Sequence, residues 1–351
     1  MTKLLLLSAA AVAFATSATP GAAQTALRQT AASSPISDAE LIRRIAKSVD
    51  SLSALDQFSG VVVVSRAGTP VYQRAYGMAD REGVRPNNLE TAFNLGSINK
   101  IFTATAIRQL AATGRIDLDS TLAKYLPDYP NKDAASRITI RQLLQMRSGL
   151  GGDIFAVPAG GKRSDVRHNR DYLPLFVNEP LLFEPGTQNR YSNAGYVVLG
   201  LVVERVSGED YYSYVKAHIY DPSGMTRTAA YTVDSLPQNT AIGYTRGDID
   251  DPSPSIPLRR NSDLLPGRGS AAGGGYSTAR DMLKFMDAIR AGRIGGAPPT
   301  GLGVAGGAPG INATLDGELP GHLDVVVLAN MDPPAAMRVA RLIRGWLGAQ
   351  D

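Results

Sequence analysis

The sequence lacks cysteine entirely and contains only three histidines among its 351 residues. The absence of cysteine excludes disulfides, thiolate metal sites and a cysteine nucleophile. His168, His218 and His322 have no partner at the spacing of metal ligands, so we expect structural or surface roles for them. A catalytic site in this chain is therefore expected to depend on other side chains.

Clustered positive charge is also missing, although the chain carries a net charge of +4. Lysines and arginines are scattered among acidic residues, and the longest basic runs are pairs such as Arg43-Arg44 and Arg259-Arg260. No aromatic residues interleave with basic ones to form a binding stripe. The pattern indicates a solvated surface of mixed charge and no nucleic-acid partner.

A hydrophobic run long enough to cross a membrane is absent as well. Residues 1–23 combine Lys3, a short apolar run and small residues up to Ala23, which is the pattern of a secretory signal. We expect cleavage after Ala23, a linker over residues 24–37, and a periplasmic or secreted protein without a stable membrane anchor. With 44% hydrophobic and 19% charged residues, the chain has the composition of a soluble globular protein.

Strand and helix patterns follow one another along residues 38–351, the predicted domain. Ser37 and Glu40 form a capping-box pattern before a first amphipathic helix. The other main patterns are a hairpin at 58–65 and 71–76, a helix at 98–113, strands at 311–315 and 323–329, and a last helix at 334–347. Between them, residues 117–269 indicate helices separated by long loops. This order predicts an α/β fold of the α+β type, with an antiparallel sheet, flanking N- and C-terminal helices and an inserted helical region.

Ser97 and Lys100 form an S-x-x-K motif at the start of a predicted helix. Residues three apart share a helix face, so Lys100 can approach the Ser97 hydroxyl. A serine nucleophile needs a base within reach, and a buried lysine with a lowered pKa can serve. By itself, however, the motif is more often an N-cap serine followed by a surface lysine.

Further motifs surround this pair, and they lie at residues 93–106, 114–119, 125–127, 143–150, 183–186, 191–196 and 273–281. Together with their neighbours they span about residues 58–331, and in composition and order they resemble the class C β-lactamase-related serine hydrolases. Met146 and Arg147 replace the His-Thr pair that is usual in the LL-x-H-T-S-G-L segment. No partner of Arg147 is evident from the sequence.

The resemblance implies roles for the Y-x-N motif, Tyr191 and Asn193. Tyr191 would relay the Ser97 proton together with Lys100, and a nearby ammonium would favour its phenolate form. Asn193 would hold Lys100 and a substrate carbonyl through hydrogen bonds. Without the resemblance, Tyr191 would be an amphipathic residue at a helix entrance and Asn193 the N-cap of that helix.

A third motif of the family, Lys-Thr-Gly or His-x-Gly, corresponds here to Val304, Ala305 and Gly306, a substrate-binding segment that has lost its cation. The resemblance implies that the backbone amides of Ser97 and Gly307 form the oxyanion hole, which depends on no side chain. What Val304 removes is a group that would recognise a substrate carboxylate. The spacing G-x-G-x-x-G at residues 301–306 is not expected to bind a dinucleotide, because prolines precede and follow it.

The resemblance therefore implies an exported serine hydrolase that forms an acyl-enzyme on Ser97, with no metal or organic cofactor. Val304 favours an esterase or amidase for small, neutral acyl substrates. One alternative is a β-lactamase, D-Ala-D-Ala carboxypeptidase or D-aminopeptidase on cell-wall substrates, which would find a carboxylate through Arg147 or Arg190. Another is a non-catalytic member that binds peptidoglycan or a partner protein, although it would not need all of Ser97, Lys100, Tyr191 and Asn193. The sequence gives no indication of oligomeric state.

Overall fold

A computed structural model describes residues 36–247, 256–296 and 303–349. The predicted signal sequence and nearly all of the predicted linker lie outside the described residues. The described residues belong to one compact unit.

The helices and strands follow the chain order expected for an α+β protein. They are α1 (Asp38–Ala54), β1 (Gly60–Arg66), β2 (Thr69–Tyr76), β3 (Met78–Asp80), β4 (Arg85–Pro86), β5 (Phe93–Asn94), α2 (Lys100–Ala112), α3 (Leu122–Tyr125), α4 (Lys132–Arg137), α5 (Ile140–Leu144), α6 (Asn193–Ser207), α7 (Tyr211–Val215), α8 (Asp221–Ser223), β6 (Tyr244–Thr245), β7 (Arg259–Arg260), β8 (Tyr276–Ser277), α9 (Ala279–Arg290), β9 (Gly303–Ala308), β10 (Ile311–Leu319), β11 (Leu323–Ala329) and α10 (Ala335–Trp346). Short 3₁₀ segments occur at Gly96–Asn99, Arg163–Asp165, Asn169–Leu175 and Ser262–Leu264, and a π turn at Lys216–Tyr220.

The main sheet is antiparallel and has the strand order β2-β1-β11-β10-β9. The predicted hairpin is confirmed as β1 and β2, and the C-terminal strands pair with it through β11. Strand β9 lies at the edge of the sheet, so part of its backbone is not paired with a neighbouring strand.

Both faces of this sheet are covered, which explains the continuous β-branched run in β1. Val61 and Val63 belong to the hydrophobic cluster on one face, and Val62 and Val64 to the cluster on the other. Helices α1 and α10 cover the second face, whereas α2, α9 and the inserted helices pack on the first. The predicted fold class is therefore confirmed.

Within residues 117–269, the sequence predicts a helix capped by Thr139 and Gln142 that ends at Gly149, and another from Glu209 to Ile219. The capping box of Thr139 and Gln142 is present, but α5 ends at Leu144, since Met146 adopts a left-handed φ of 58°. The helix predicted from Glu209 begins at Tyr211, because the side chain of Asp210 caps it. Every helix in the described ranges is too short or too polar to cross a membrane.

Candidate active site

Ser97 lies in the 3₁₀ turn that leads into α2, and the turn is fixed on both sides. Gly96 has a left-handed φ of 52°, which favours glycine, and its amide donates a 2.9 Å hydrogen bond to the Asn94 side chain. The Leu95 amide donates to the Gly275 carbonyl at 2.8 Å. The glycine-rich segment at residues 273–275 thus packs behind the serine and helps to orient it.

Lys100 is 7% exposed, and its ammonium nitrogen is directed at Ser97. The Nζ atom lies 3.1 Å from Ser97 Oγ and 2.8 Å from Asn193 Oδ1, and it also donates to the Ala272 carbonyl. These partners are neutral, so none of them compensates for the removal of the charged form from water. Burial consequently lowers the pKa of Lys100 to about 7.

Tyr191 approaches Ser97 from the solvent side of the site. Its hydroxyl donates a 2.6 Å hydrogen bond to Ser97 Oγ, and Lys100 Nζ lies 4.8 Å from the centre of its ring. Partial burial raises the pKa of Tyr191, while the hydrogen bond to Ser97 lowers it by less. The expected phenolate is therefore not favoured, because Lys100 is the group that loses its proton more easily.

Asn193 lies in the first turn of α6, but it does not cap that helix. The N-cap is Ser192, whose hydroxyl accepts a 3.1 Å hydrogen bond from the Gly195 amide. The expectation that Asn193 is the N-cap is thus wrong. Its side chain is free of the backbone and accepts the hydrogen bond from Lys100 instead.

The strand β9 brings the third motif against the nucleophile turn. A Cβ atom on Gly306 would lie 2.1 Å from the Leu95 carbonyl oxygen and 2.8 Å from the Ser97 amide nitrogen, so this position requires glycine. The Gly307 amide nitrogen lies 3.1 Å from where a Cβ of Gly96 would be. The structure therefore brings Gly307 beside the Ser97 turn, as the predicted oxyanion hole requires.

The other two residues of this motif add no charge to the site. Val304 is partly buried and packs against the hydrophobic core, and Ala305 is exposed. Neither residue lines the cavity beside Ser97 described below.

Arg147 has a structural role that the sequence did not reveal. Its guanidinium donates to the Gly186 carbonyl, and the Gly186 amide donates to the Arg147 carbonyl at 2.8 Å. Its neighbour Met146 accepts a 2.9 Å backbone hydrogen bond from Arg190. Both replacements of the family's His-Thr pair thus hold the loop that precedes Tyr191.

The carbonyl that binds Lys100 is itself held in place. Next to Ala272, the Ala271 carbonyl accepts a 2.7 Å hydrogen bond from the Thr103 hydroxyl, and the Ala271 amide donates to Asn169 Oδ1 at 2.9 Å. Ala272 could not be identified from the sequence, because a backbone carbonyl leaves no mark in a side-chain pattern.

A cavity of about 280 Å³ opens beside Ser97, on the side of Gly96 and Gly307. Its walls are mostly apolar and aromatic and come from loops, short 3₁₀ segments and strand ends that are distant in sequence. They include Ile154, Phe155, Tyr172, Tyr231, Val233, Leu264, Leu265, Pro266, Tyr276, Ile311 and one charged residue, Arg163. Lys100, Tyr191 and Asn193 do not line the cavity. The described part of the site therefore has a polar side and an apolar side, which meet at Ser97.

None of the three histidines lines this cavity or hydrogen-bonds Ser97. His218 Nε2 lies 3.0 Å from Glu209 Oε1, His168 is exposed, and His322 lies in the turn between β10 and β11. Among the residues that the structure describes, no group of three or more histidine, aspartate or glutamate side chains could hold a metal ion.

Comparison with known proteins assigns the chain to a family. The family model described as Beta-lactamase matches residues 45–338. Esterase EstB of Burkholderia gladioli is 33% identical over 260 residues, which cover 66% of this chain and 65% of EstB. PbpX of Bacillus subtilis, named as a penicillin-binding protein, is 33% identical over 237 residues, which cover 68% of this chain and 56% of PbpX. The chain thus spans between half and two thirds of the length of these relatives.

A solved structure supports the same assignment. The penicillin-binding protein from Bacillus halodurans is 28% identical, superimposes with a TM-score of 0.74, and covers 87% of this chain and 98% of its own. The resemblance inferred from the sequence motifs is confirmed. The chain belongs to the beta-lactamase family.

Proposed function

We propose that the chain hydrolyses esters or amides of small carboxylic acids through an acyl-enzyme formed on Ser97. The observation that carries this proposal is the position of Ser97 Oγ, within hydrogen-bond distance of both Lys100 Nζ and Tyr191 Oη. A lysine whose pKa is near 7 is partly neutral at physiological pH and can accept the serine proton.

The acylation step follows from these positions. As Ser97 Oγ forms a bond to the substrate carbonyl carbon, its proton passes to the neutral amine of Lys100. The carbonyl electron pair moves to the oxygen, and the amides of Ser97 and Gly307 donate hydrogen bonds to the resulting oxyanion. Asn193 holds Lys100 in the required orientation.

Release of the leaving group assigns a role to Tyr191. When the tetrahedral intermediate collapses, the bond to the leaving oxygen or nitrogen breaks, and that atom takes the proton of the Tyr191 hydroxyl. The ammonium of Lys100 restores the proton to Tyr191. A water molecule then attacks the acyl-enzyme with the same groups acting in reverse, and the products are the acid and the alcohol or amine.

Because the third motif lacks a cation, we expect the substrates to be esters and amides whose leaving group carries no carboxylate. Val304 takes the place at which the family has lysine or histidine, and a partly buried valine cannot bind an anion. The relative EstB, which is named as an esterase, supports an esterase activity for this chain. The signal pattern in residues 1–23 supports an exported, periplasmic or secreted location.

A Ser97→Ala variant tests the mechanism. We expect the wild-type protein to hydrolyse short-chain p-nitrophenyl esters and to form a covalent adduct with a serine-directed phosphonate, and the variant to do neither. Ser136→Ala, at an exposed serine on α4, is the matched control and should keep full activity. Ester turnover that survives Ser97→Ala above the uncatalysed rate would refute the acyl-enzyme.

The relatives named as penicillin-binding proteins support a second candidate function, the hydrolysis of β-lactams or D-Ala-D-Ala peptides. The cations that the sequence suggested for it are poorly placed, because Arg147 binds the Gly186 carbonyl and Arg190 is exposed outside the cavity. Turnover of a chromogenic cephalosporin faster than turnover of the esters would favour this alternative.

A further inference from the structure

The cavity beside Ser97 is positioned to receive the acyl part of a substrate, and this assignment rests on the proposed acyl-enzyme. The leaving group must take its proton from Tyr191, so it lies on the polar side of Ser97. The oxyanion is directed at the amides of Ser97 and Gly307. The third substituent of the carbonyl carbon is the acyl chain, and it then extends into the cavity.

The cavity limits the size and polarity of that chain. A water molecule occupies about 30 Å³ in the liquid, so a volume of about 280 Å³ accommodates roughly nine non-hydrogen atoms. The Tyr172 ring contributes mainly apolar surface, since its hydroxyl already donates to the Arg268 carbonyl at 2.8 Å. A straight chain of about six carbons fits this description.

Arg163 introduces a positive charge into these apolar walls. Its Nε donates a 2.8 Å hydrogen bond to the Phe155 carbonyl, and its own carbonyl accepts from the Gly267 amide at 3.1 Å, so both ends of the residue are anchored. Within the described ranges, no acceptor contacts its two terminal guanidinium nitrogens. The neighbouring acid, Asp165, accepts a 2.7 Å hydrogen bond from the Lys162 amide instead.

We propose that Arg163 determines specificity by binding a carboxylate at the far end of the acyl chain, so that the preferred substrates are half-esters or half-amides of dicarboxylic acids. A guanidinium offers two parallel N–H groups that match a carboxylate, and the apolar surroundings strengthen the pair. This differs from the neutral acyl substrates expected from the sequence. The loss of the cation at Val304 concerns the leaving-group side, whereas Arg163 adds a cation on the acyl side.

A pair of substrates of equal length tests the inference by turnover. The kcat/KM values for mono-p-nitrophenyl adipate and p-nitrophenyl hexanoate are measured for the wild type, Arg163→Gln and Arg163→Lys. We expect the wild type to prefer the adipate, Arg163→Gln to lower the adipate-to-hexanoate ratio about tenfold, and Arg163→Lys to keep part of it. Arg293→Gln, at an exposed arginine after α9, is the matched control and should change the ratio less than twofold.

A binding measurement separates this inference from the proposed function. In Ser97→Ala protein, calorimetry compares adipic acid monoamide with hexanamide, and we expect the charged ligand to bind about tenfold more tightly unless Arg163→Gln is also present. Equal binding of the two ligands, or an adipate preference that survives Arg163→Gln, would overturn the subsite. Arg163-dependent binding without any ester turnover by the wild type would support the subsite and refute the proposed function instead. If Arg163→Gln does not fold, the adipate-to-hexanoate ratios of the wild type and of Arg163→Lys still test the subsite. An equal ratio in these two proteins, or no adipate preference in the wild type, would overturn it.

Discussion

The two sides of Ser97 differ in how their geometry is maintained. On the polar side, Lys100 alone has three hydrogen-bond partners, and Tyr191 completes the contacts to the nucleophile. On the apolar side, side chains from segments that are distant in sequence line a cavity whose only charged lining residue in the described part of the chain is Arg163.

This difference separates chemistry from specificity. Hydrogen bonds with narrow geometric limits fix the groups that move protons, so changes there should affect all substrates alike. Apolar contacts tolerate changes of shape, so changes in the cavity should affect substrates according to their acyl chain. A substitution on one side of Ser97 should therefore not produce the effect that is typical of the other side.

Lys100→Met is expected to have the largest effect, a fall in kcat/KM of about 10³-fold for every ester, because the base is removed. Since the pKa of Lys100 is about 7, the wild-type rate should rise with pH through neutrality as the amine loses its proton, and the variant should lack this rise. Lys124→Met, at a lysine on α3 remote from the site, is the control. If the rate of Lys100→Met still rises with pH through neutrality as the wild-type rate does, Lys100 is not the base.

The lowered pKa of Lys100 also predicts a pH dependence of folding. Between about pH 7 and 10.5 the unfolded chain binds this proton and the folded chain does not, so the lysine's contribution becomes more favourable as pH rises. Relative to Lys100→Met, the wild type should gain on the order of 3–5 kcal/mol of unfolding free energy from pH 6.5 to pH 10. Urea titrations of both proteins at the two pH values measure this difference.

Gly306→Ala should have the next largest effect, because a methyl group cannot fit between β9 and the Ser97 turn. A displacement of about 1 Å would move the Gly307 amide away from the oxyanion, and we expect kcat/KM to fall about 10- to 100-fold for long and short esters alike. Gly345→Ala on α10, where a Cβ meets no atom within 4 Å, is the matched control and should leave activity unchanged. Full activity in Gly306→Ala would exclude the predicted oxyanion hole.

The polar side could be predicted from the sequence because its motifs, in composition and order, resemble those of a known family. Ser97 and Lys100 are three residues apart at a helix start, and Tyr191 precedes Asn193 by two. The continuous valine run of β1 and the pattern of β11 predicted strands, and for these strands a local pattern carries the information.

The apolar side could not be predicted, because its formation depends on long-range packing. Arg163, Tyr231 and Leu264 lie in separate connecting segments and share no sequence spacing, and only the fold brings them together. Ala272 acts through its backbone carbonyl. Lys100 binds the side chain of Asn193, and the neighbouring Ser192 is the N-cap of α6. In the sequence these two neighbours are equally good caps.

Val233→Phe should have the smallest effect and the most selective one. The added ring carbons would occupy part of the acyl cavity, so a hexanoyl chain loses room whereas an acetyl group does not reach that far. We expect the ratio of kcat/KM for p-nitrophenyl hexanoate to that for p-nitrophenyl acetate to fall about five- to tenfold. Val84→Phe, at a valine that is 76% exposed, is the matched control and should not change the ratio. An equal loss on both esters would mean that the cavity supports the nucleophile turn and does not select the acyl chain, and the division between the two sides of Ser97 would then fail.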